Sequence, residues 1–225
     1  MHSITKITNL TLTSLIILGI SNLPFLVLPT LANPSIIAQS NPLKDTLIIP
    51  GVRIGPVHKK TTKQDLIKIF GKSKLKDMKI SGPEGIGEFF ATRVNLGAKR
   101  SFTVVWSNKN AIKPLDVRDL GTDWQTPEGI KVGTKFNKLR QILGEFQLTG
   151  LGWDYGGIVS FEKTKLASYY GKIIVSVETA PEAGSKYPKD YQAVSGDRQL
   201  SSTSPHWQKL GVKIVSIVVF LNPEE

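Results

Sequence analysis

The chain has no cysteine at all, and only two methionines and three histidines among its 225 residues. The absence of cysteine excludes disulfides, thiol nucleophiles and cysteine metal sites together, and with them a lipid-anchored N-terminal cysteine. The fold must therefore be held by core burial alone. Two histidines past the start, His58 and His206, stand far apart in sequence without ligand-spaced neighbours, so no metal and no cofactor is expected. Calcium-loop spacing is missing around Asp116, Asp119 and Asp123. No Gly-x-Ser-x-Gly elbow, Ser-x-x-Lys pair or phosphate-cradling glycine fingerprint is present, and no catalytic residue is assigned.

Charge is missing from the first segment too. Lys6 is followed by no charged side chain until Lys44, and the stretch from Leu10 to Leu28 is mostly apolar. Thr30-Leu31-Ala32 then supplies small residues for a signal peptidase, with Ala38 as a second exit. A basic start, an apolar middle and a small-residue exit predict a secretory signal over residues 1–38. Retention as a membrane anchor is the alternative, since the run nears the ~20 residues needed to span a bilayer, although Asn22 and Pro24 interrupt it. No later apolar run is as long, so the mature chain, 39–225, is expected to have no membrane span and to work in the periplasm or outside the cell.

What the chain has in excess is positive charge, a formal +11. Ten basic residues against three acids fall between Lys44 and Lys79. Such a field suits an anionic envelope polymer, an acidic headgroup or an acidic exported protein, and it also suits a merely solvated surface. Lys59, Lys60, Lys63 and Lys68 are the candidate contacts. Nucleic acid is not expected, because the chain is exported and lacks a dense Arg or aromatic platform.

A weak internal duplication organises the rest. Gly51-Val52-Arg53-Ile54-Gly55 recurs as Gly129-Ile130-Lys131-Val132-Gly133, and each copy precedes a short amphipathic helix. Thr61 or Thr62, with Gln64 or Asp65 three residues on, predicts a capping box for the first helix, and Gly71 its end. Thr134 is the predicted cap of the second, and Gly144 its stop. Strands are expected over 88–94, 101–106 and 115–120 after the first helix, and over 157–161, 172–178 and 212–221 after the second. Residues 181–203, rich in Gly, Ser, Pro, Lys and Asp, read as a long exposed loop inserted between the last two. Ser204-Pro205 then opens a short helical turn. The expected architecture is α+β, with two helix-plus-antiparallel-strand repeats, about 48–122 and 123–225, and the helices packed on one face of an antiparallel sheet.

The segment from Gly133 to Gly144 (GTKFNKLRQILG) resembles the helix of small exported tandem-repeat modules of the β-lactamase-inhibitory-protein-like and small outer-membrane assembly lipoprotein kind. The resemblance implies a binding or inhibitory scaffold without catalysis. The disulfides of the inhibitor family have no counterpart here. Trp124-Gln125-Thr126-Pro127-Glu128-Gly129-Ile130 and Gly152-Trp153-Asp154-Tyr155-Gly156-Gly157 are similar to strings in exported bacterial proteins of uncharacterised activity, which transfers no function.

The second of those strings is the most unusual in the chain. Trp153 and Tyr155 around Asp154, flanked by glycines, can form an exposed recognition loop, or a turn whose aromatics fold back onto the core. Trp124 is open to the same two readings, as a member of an aromatic patch or as a structural staple between repeats. The function expected is a soluble, exported, non-catalytic binding protein. The alternatives are an inhibitor of an exported enzyme, or an envelope hydrolase drawing a carboxylate pair from Asp119, Asp123, Glu128, Asp154 and Glu162.

Overall fold

The computed structural model describes residues 44–222 apart from 83, 84 and 86, so the signal segment lies outside the described residues. The described chain is mixed helix and antiparallel sheet. Strands β1 (Ile48–Ile49), β2 (Arg53–Ile54) and β3 (Val57–His58) make a small three-stranded sheet in that order. Helix α1 (Lys63–Phe70) follows. Its N-terminus carries the capping box: Thr62 accepts from the Asp65 amide, and the Asp65 carboxylate accepts from the Thr62 amide. The Thr62 amide, and then the Thr62 hydroxyl, donate to the Asp65 carboxylate, which favours the ionised acid and holds the Asp65 carboxyl below its ordinary range.

After α1 come β4 (Leu75–Ser81), β5 (Glu88–Val94), β6 (Phe102–Trp106) and β7 (Pro114–Arg118). The second half supplies α2 (Phe136–Leu143), β8 (Gln147–Thr149), β9 (Ile173–Glu178), α3 (Ala183–Lys186), α4 (Pro188–Ala193), β10 (Gln199–Ser201) and β11 (Lys213–Phe220). The main sheet has six strands in the order β4-β5-β6-β7-β11-β9, every pair antiparallel. Antiparallel bridges at Ile158–Ser176 and Leu148–Val159 lead on from β9 to β8, which pairs with β10.

Cross-strand partners share a face of a sheet, and alternate residues change face. One face therefore gathers Val94, Phe102, Val104, Val117, Val219, Ile217 and Val175, all buried. Leu66 and Phe70 of α1 and Phe136, Leu139 and Leu143 of α2 belong to the same core cluster. Phe102 sits at its centre, edge-on to Phe70 at 5.6 Å and to Trp124 at 5.2 Å.

The opposite face of β4 to β7 carries a row of Lys76, Arg93, Thr103 and Arg118, with Ala91, Val105, Asp116 and Phe220 in the next row. Asp116 is fully buried there, gripped by Arg118 through Nε at 2.7 Å and Nη2 at 2.6 Å. That bidentate pairing raises the Arg118 pKa further, against the effect of burial.

Several expectations need correction. Thr134 does not cap α2. The helix has Lys135 at its N-cap without a side-chain bond, and the Thr134 hydroxyl accepts from the Lys131 amide instead. The reason is tertiary: Gly133 and Thr134 exchange backbone bonds with Ile214, which fixes this turn against β11. Only two bridging residues, Ile158 and Val159, stand where a strand over 157–161 is expected. Residues 181–203 are no simple loop, because α3, α4 and β10 lie there and Ala183 and Val194 are buried. The expected turn at Pro205–Trp207 is present as a short 3-10 helix.

Candidate ligand-binding site

The turn between β8 and Ile158 is built from backbone bonds. Gly150 N–H donates to Arg198 O at 2.9 Å and Leu151 N–H to Val194 O at 2.8 Å. Gly156 N–H reaches Trp153 O, and Gly157 N–H reaches Thr149 O. The Thr149 hydroxyl donates to Tyr155 O at 2.6 Å and accepts from the Ile158 amide at 2.8 Å. Two glycines make this packing sterically feasible. A Cβ on Gly150 would lie 2.3 Å from Gly196 O, and one on Gly157, at φ +73°, would lie 2.1 Å from Val177 O.

The outcome is a fixed loop that presents aromatics rather than burying them. Trp153 is half-buried; its indole N–H donates to Gly150 O at 2.9 Å, and Tyr155 packs edge-on against its ring at 5.6 Å. Trp153 lines a cavity of about 420 Å³ with Leu151, Val177, Glu178, Thr179 and Tyr191. Tyr191 comes from α4, which the Leu151–Val194 bond holds against the loop. Among the described residues no lysine or arginine lines this cavity. Sequence reasoning missed Tyr191, Glu178 and Thr179. Tyr191 falls in the segment read as a loop, and nothing local marks the other two.

The remaining candidates fare differently. Trp124 is a correction: it is buried in the core, donates its indole N–H to Arg100 O at 2.9 Å and abuts Gly55, so it offers no binding surface. Asp154 and Tyr155 are exposed. The lysines do not form one unpaired patch. Lys63 is paired with Asp77 and Lys68 with Asp65, while Lys59 and Lys60 are exposed. The neighbourhood of Lys63 instead holds a second cavity of about 480 Å³, lined by Lys79, Lys109, Met78, Phe90 and Trp106 among others.

None of the cavities described is lined by two of the acids named for hydrolysis. Asp123 lines a shallow basic hollow with Lys44, Arg100 and Lys131. Glu128 accepts from the Tyr169 hydroxyl at 2.9 Å, and Glu162 shares a cavity of about 640 Å³ with Glu145. Both Glu145 and Glu162 are solvent-exposed. Among the described residues no group of three or more His, Asp or Glu is placed to hold a metal, and no helix is long and apolar enough to cross a membrane.

Burial first, and then the bond to Glu128, push the Tyr169 phenol well above its ordinary value of 10.0. A raised folded-state pKa gives stability that is complete below the unfolded value and fades as pH rises toward the folded one. The chain is therefore expected to lose stability above about pH 10. Tyr169→Phe should flatten that loss in urea melts taken from pH 8 to 11; an unchanged alkaline slope would discount the bond.

No protein-family model, no curated protein and no solved structure matches the chain, so the reading of this site rests on its own geometry.

Proposed function

We propose that the chain is an exported, non-catalytic binding protein that holds its ligand in the aromatic cavity of the loop from Gly150 to Gly157. One observation carries the reading. Of the four tryptophans Trp153 alone is not buried, and it stands on a loop whose backbone is locked around it. Rigid aromatic anchors of this kind lose little entropy on binding. The leader pattern of residues 1–38 supports export. Strand order supports duplication: α1 is followed by four strands that are neighbours in turn, β4 to β7. After α2 the succession β8, Ile158-Val159, β9 and β11 repeats that plan, and the last strands of the two halves lie side by side.

The test uses the four indole N–H resonances of the mature chain, with that of Trp153 assigned from Trp153→Phe. Solubilised cell-wall digest and envelope peptides are added as separate probes. The Trp153 resonance should shift with at least one, and the probe should be recovered uncleaved. A silent Trp153, or a cleaved probe, overturns the reading.

A second contact, with an anionic envelope polymer, is supported around Lys59 and Lys60. Lys59 and the β6–β7 turn are drawn together, because Asn222 Nδ2 donates to both Lys59 O and Pro114 O and the Lys63 amide donates to Ala111 O. That brings Lys109 and Lys113 toward Lys59 and Lys60. Binding of poly-glutamate here should fall steeply between about 0.05 and 0.5 M salt.

A further inference from the structure

We infer that the cavity beside Trp153 takes a neutral oligosaccharide. This inference rests on the binding reading above and names the ligand class for that site.

The chemistry of the wall selects the class. Trp153, Tyr191 and Leu151 line it with aromatic and aliphatic surface, against which the C–H faces of a sugar ring can pack. Around them stand the Glu178 carboxylate, the Thr179 hydroxyl and the Tyr191 hydroxyl, which are partners for equatorial hydroxyls. A ligand with apolar faces and a polar circumference meets both kinds of group at once. A purely apolar ligand would make no use of Glu178 and Thr179.

Two other ligand classes fit less well. An anion would meet the Glu178 carboxylate with no cation in the wall; Lys213, the cross-strand partner of Glu178, is outside it. An extended peptide would need free ladder groups to add as a strand. Here the amides of Gly150, Leu151, Gly156 and Gly157 are all spent within the chain, and Val177 N–H is bonded to Gly157 O.

The indole N–H of Trp153 is likewise committed, to Gly150 O, so the residue offers its ring rather than its donor. Its orientation is fixed by that bond and by the edge contact with Tyr155. Sugars gain little per contact over water, so a wall that needs no ordering matters for them. The volume, about 420 Å³, is in the range of small-ligand sites.

The experiment titrates the mature chain with cellotetraose, chitotetraose and maltotetraose to about 10 mM, reading the Trp153 indole resonance and calorimetric heat. At least one should bind, with affinity unchanged between about 0.05 and 0.5 M salt. Trp153→Ala should weaken it at least about tenfold, and Tyr191→Phe and Glu178→Gln each several-fold. Tyr191→Phe keeps the ring and guards against a folding artefact in Trp153→Ala. If no sugar moves Trp153 while an envelope peptide does, the glycan class is wrong and the binding site stands. If neither sugar nor any envelope fraction moves Trp153, both are wrong. Binding that survives Trp153→Ala and Glu178→Gln unweakened also overturns the inference.

Discussion

Gly157→Ala is expected to lower stability by about 3 kcal/mol or more and to abolish binding at the Trp153 cavity. The alanine would carry a left-handed φ of +73°, which alone costs about 1–2 kcal/mol outside glycine. Its Cβ would also stand 2.1 Å from Val177 O, the carbonyl of a buried residue whose strand β9 is backed by β11. Gly152→Ala is the matched control. It has a similar φ of +86°, yet its nearest neighbour is the Tyr191 hydroxyl at 3.8 Å, so only the conformational cost should appear. Urea melts of the two variants separate crowding from strain. Equal midpoints would mean the close approach at Gly157 does not exist.

Arg118→Met should be the most damaging change on the opposite face of the sheet. It leaves the Asp116 carboxylate buried with no cation, where the lost partner is worth about 3–5 kcal/mol for a fully buried pair. Arg118 is itself about a third exposed, so water can reach part of the vacated space and about 2–3 kcal/mol is the expected loss. The double variant Asp116→Val/Arg118→Met removes the charge problem and should recover most of that loss. Chemical denaturation of both singles and the double gives the coupling directly. If the double is no better than Arg118→Met, the pair is a bystander to packing.

What could be read in advance followed from local rules. The capping box of α1 needs only Thr62 and Asp65 three residues apart, and β5 is bounded as expected at Glu88 and Val94. Strand β4 was not legible. Its sequence Leu-Lys-Asp-Met-Lys-Ile-Ser shows no buried alternation, because it pairs only with β5 and leaves most of its side chains in solvent. The helices within 181–203 were hidden for a different reason. Their few inward residues, Ala183, Tyr187 and Tyr191, are dispersed among Gly, Ser, Lys and Pro, and they order only against the core and the Trp153 loop.

The tryptophans make the limit clearest. Trp124 and Trp153 each stand beside an aspartate and within a few residues of glycine. One is buried and the other is not. The difference is set by distant partners: Phe102 and Gly55 close over Trp124, whereas the bonds from Gly150 and Gly157 turn Trp153 outward. The groups that decide it, Phe102 and Gly55 for Trp124 and Arg198, Val194 and Val177 for the Trp153 loop, all lie more than ten residues away in sequence. The fold class was therefore readable, and the site was readable only as a list of candidates.

The exposed character of β4 has one more consequence. A strand with a free side is a template on which another chain can grow. Lys76, Asp77 and Lys79 place three charges in seven residues along that margin. A second molecule approaching in register would have to bury them against their own copies. The same residues that obscured β4 from recognition thus keep the folded sheet from extending into its neighbours.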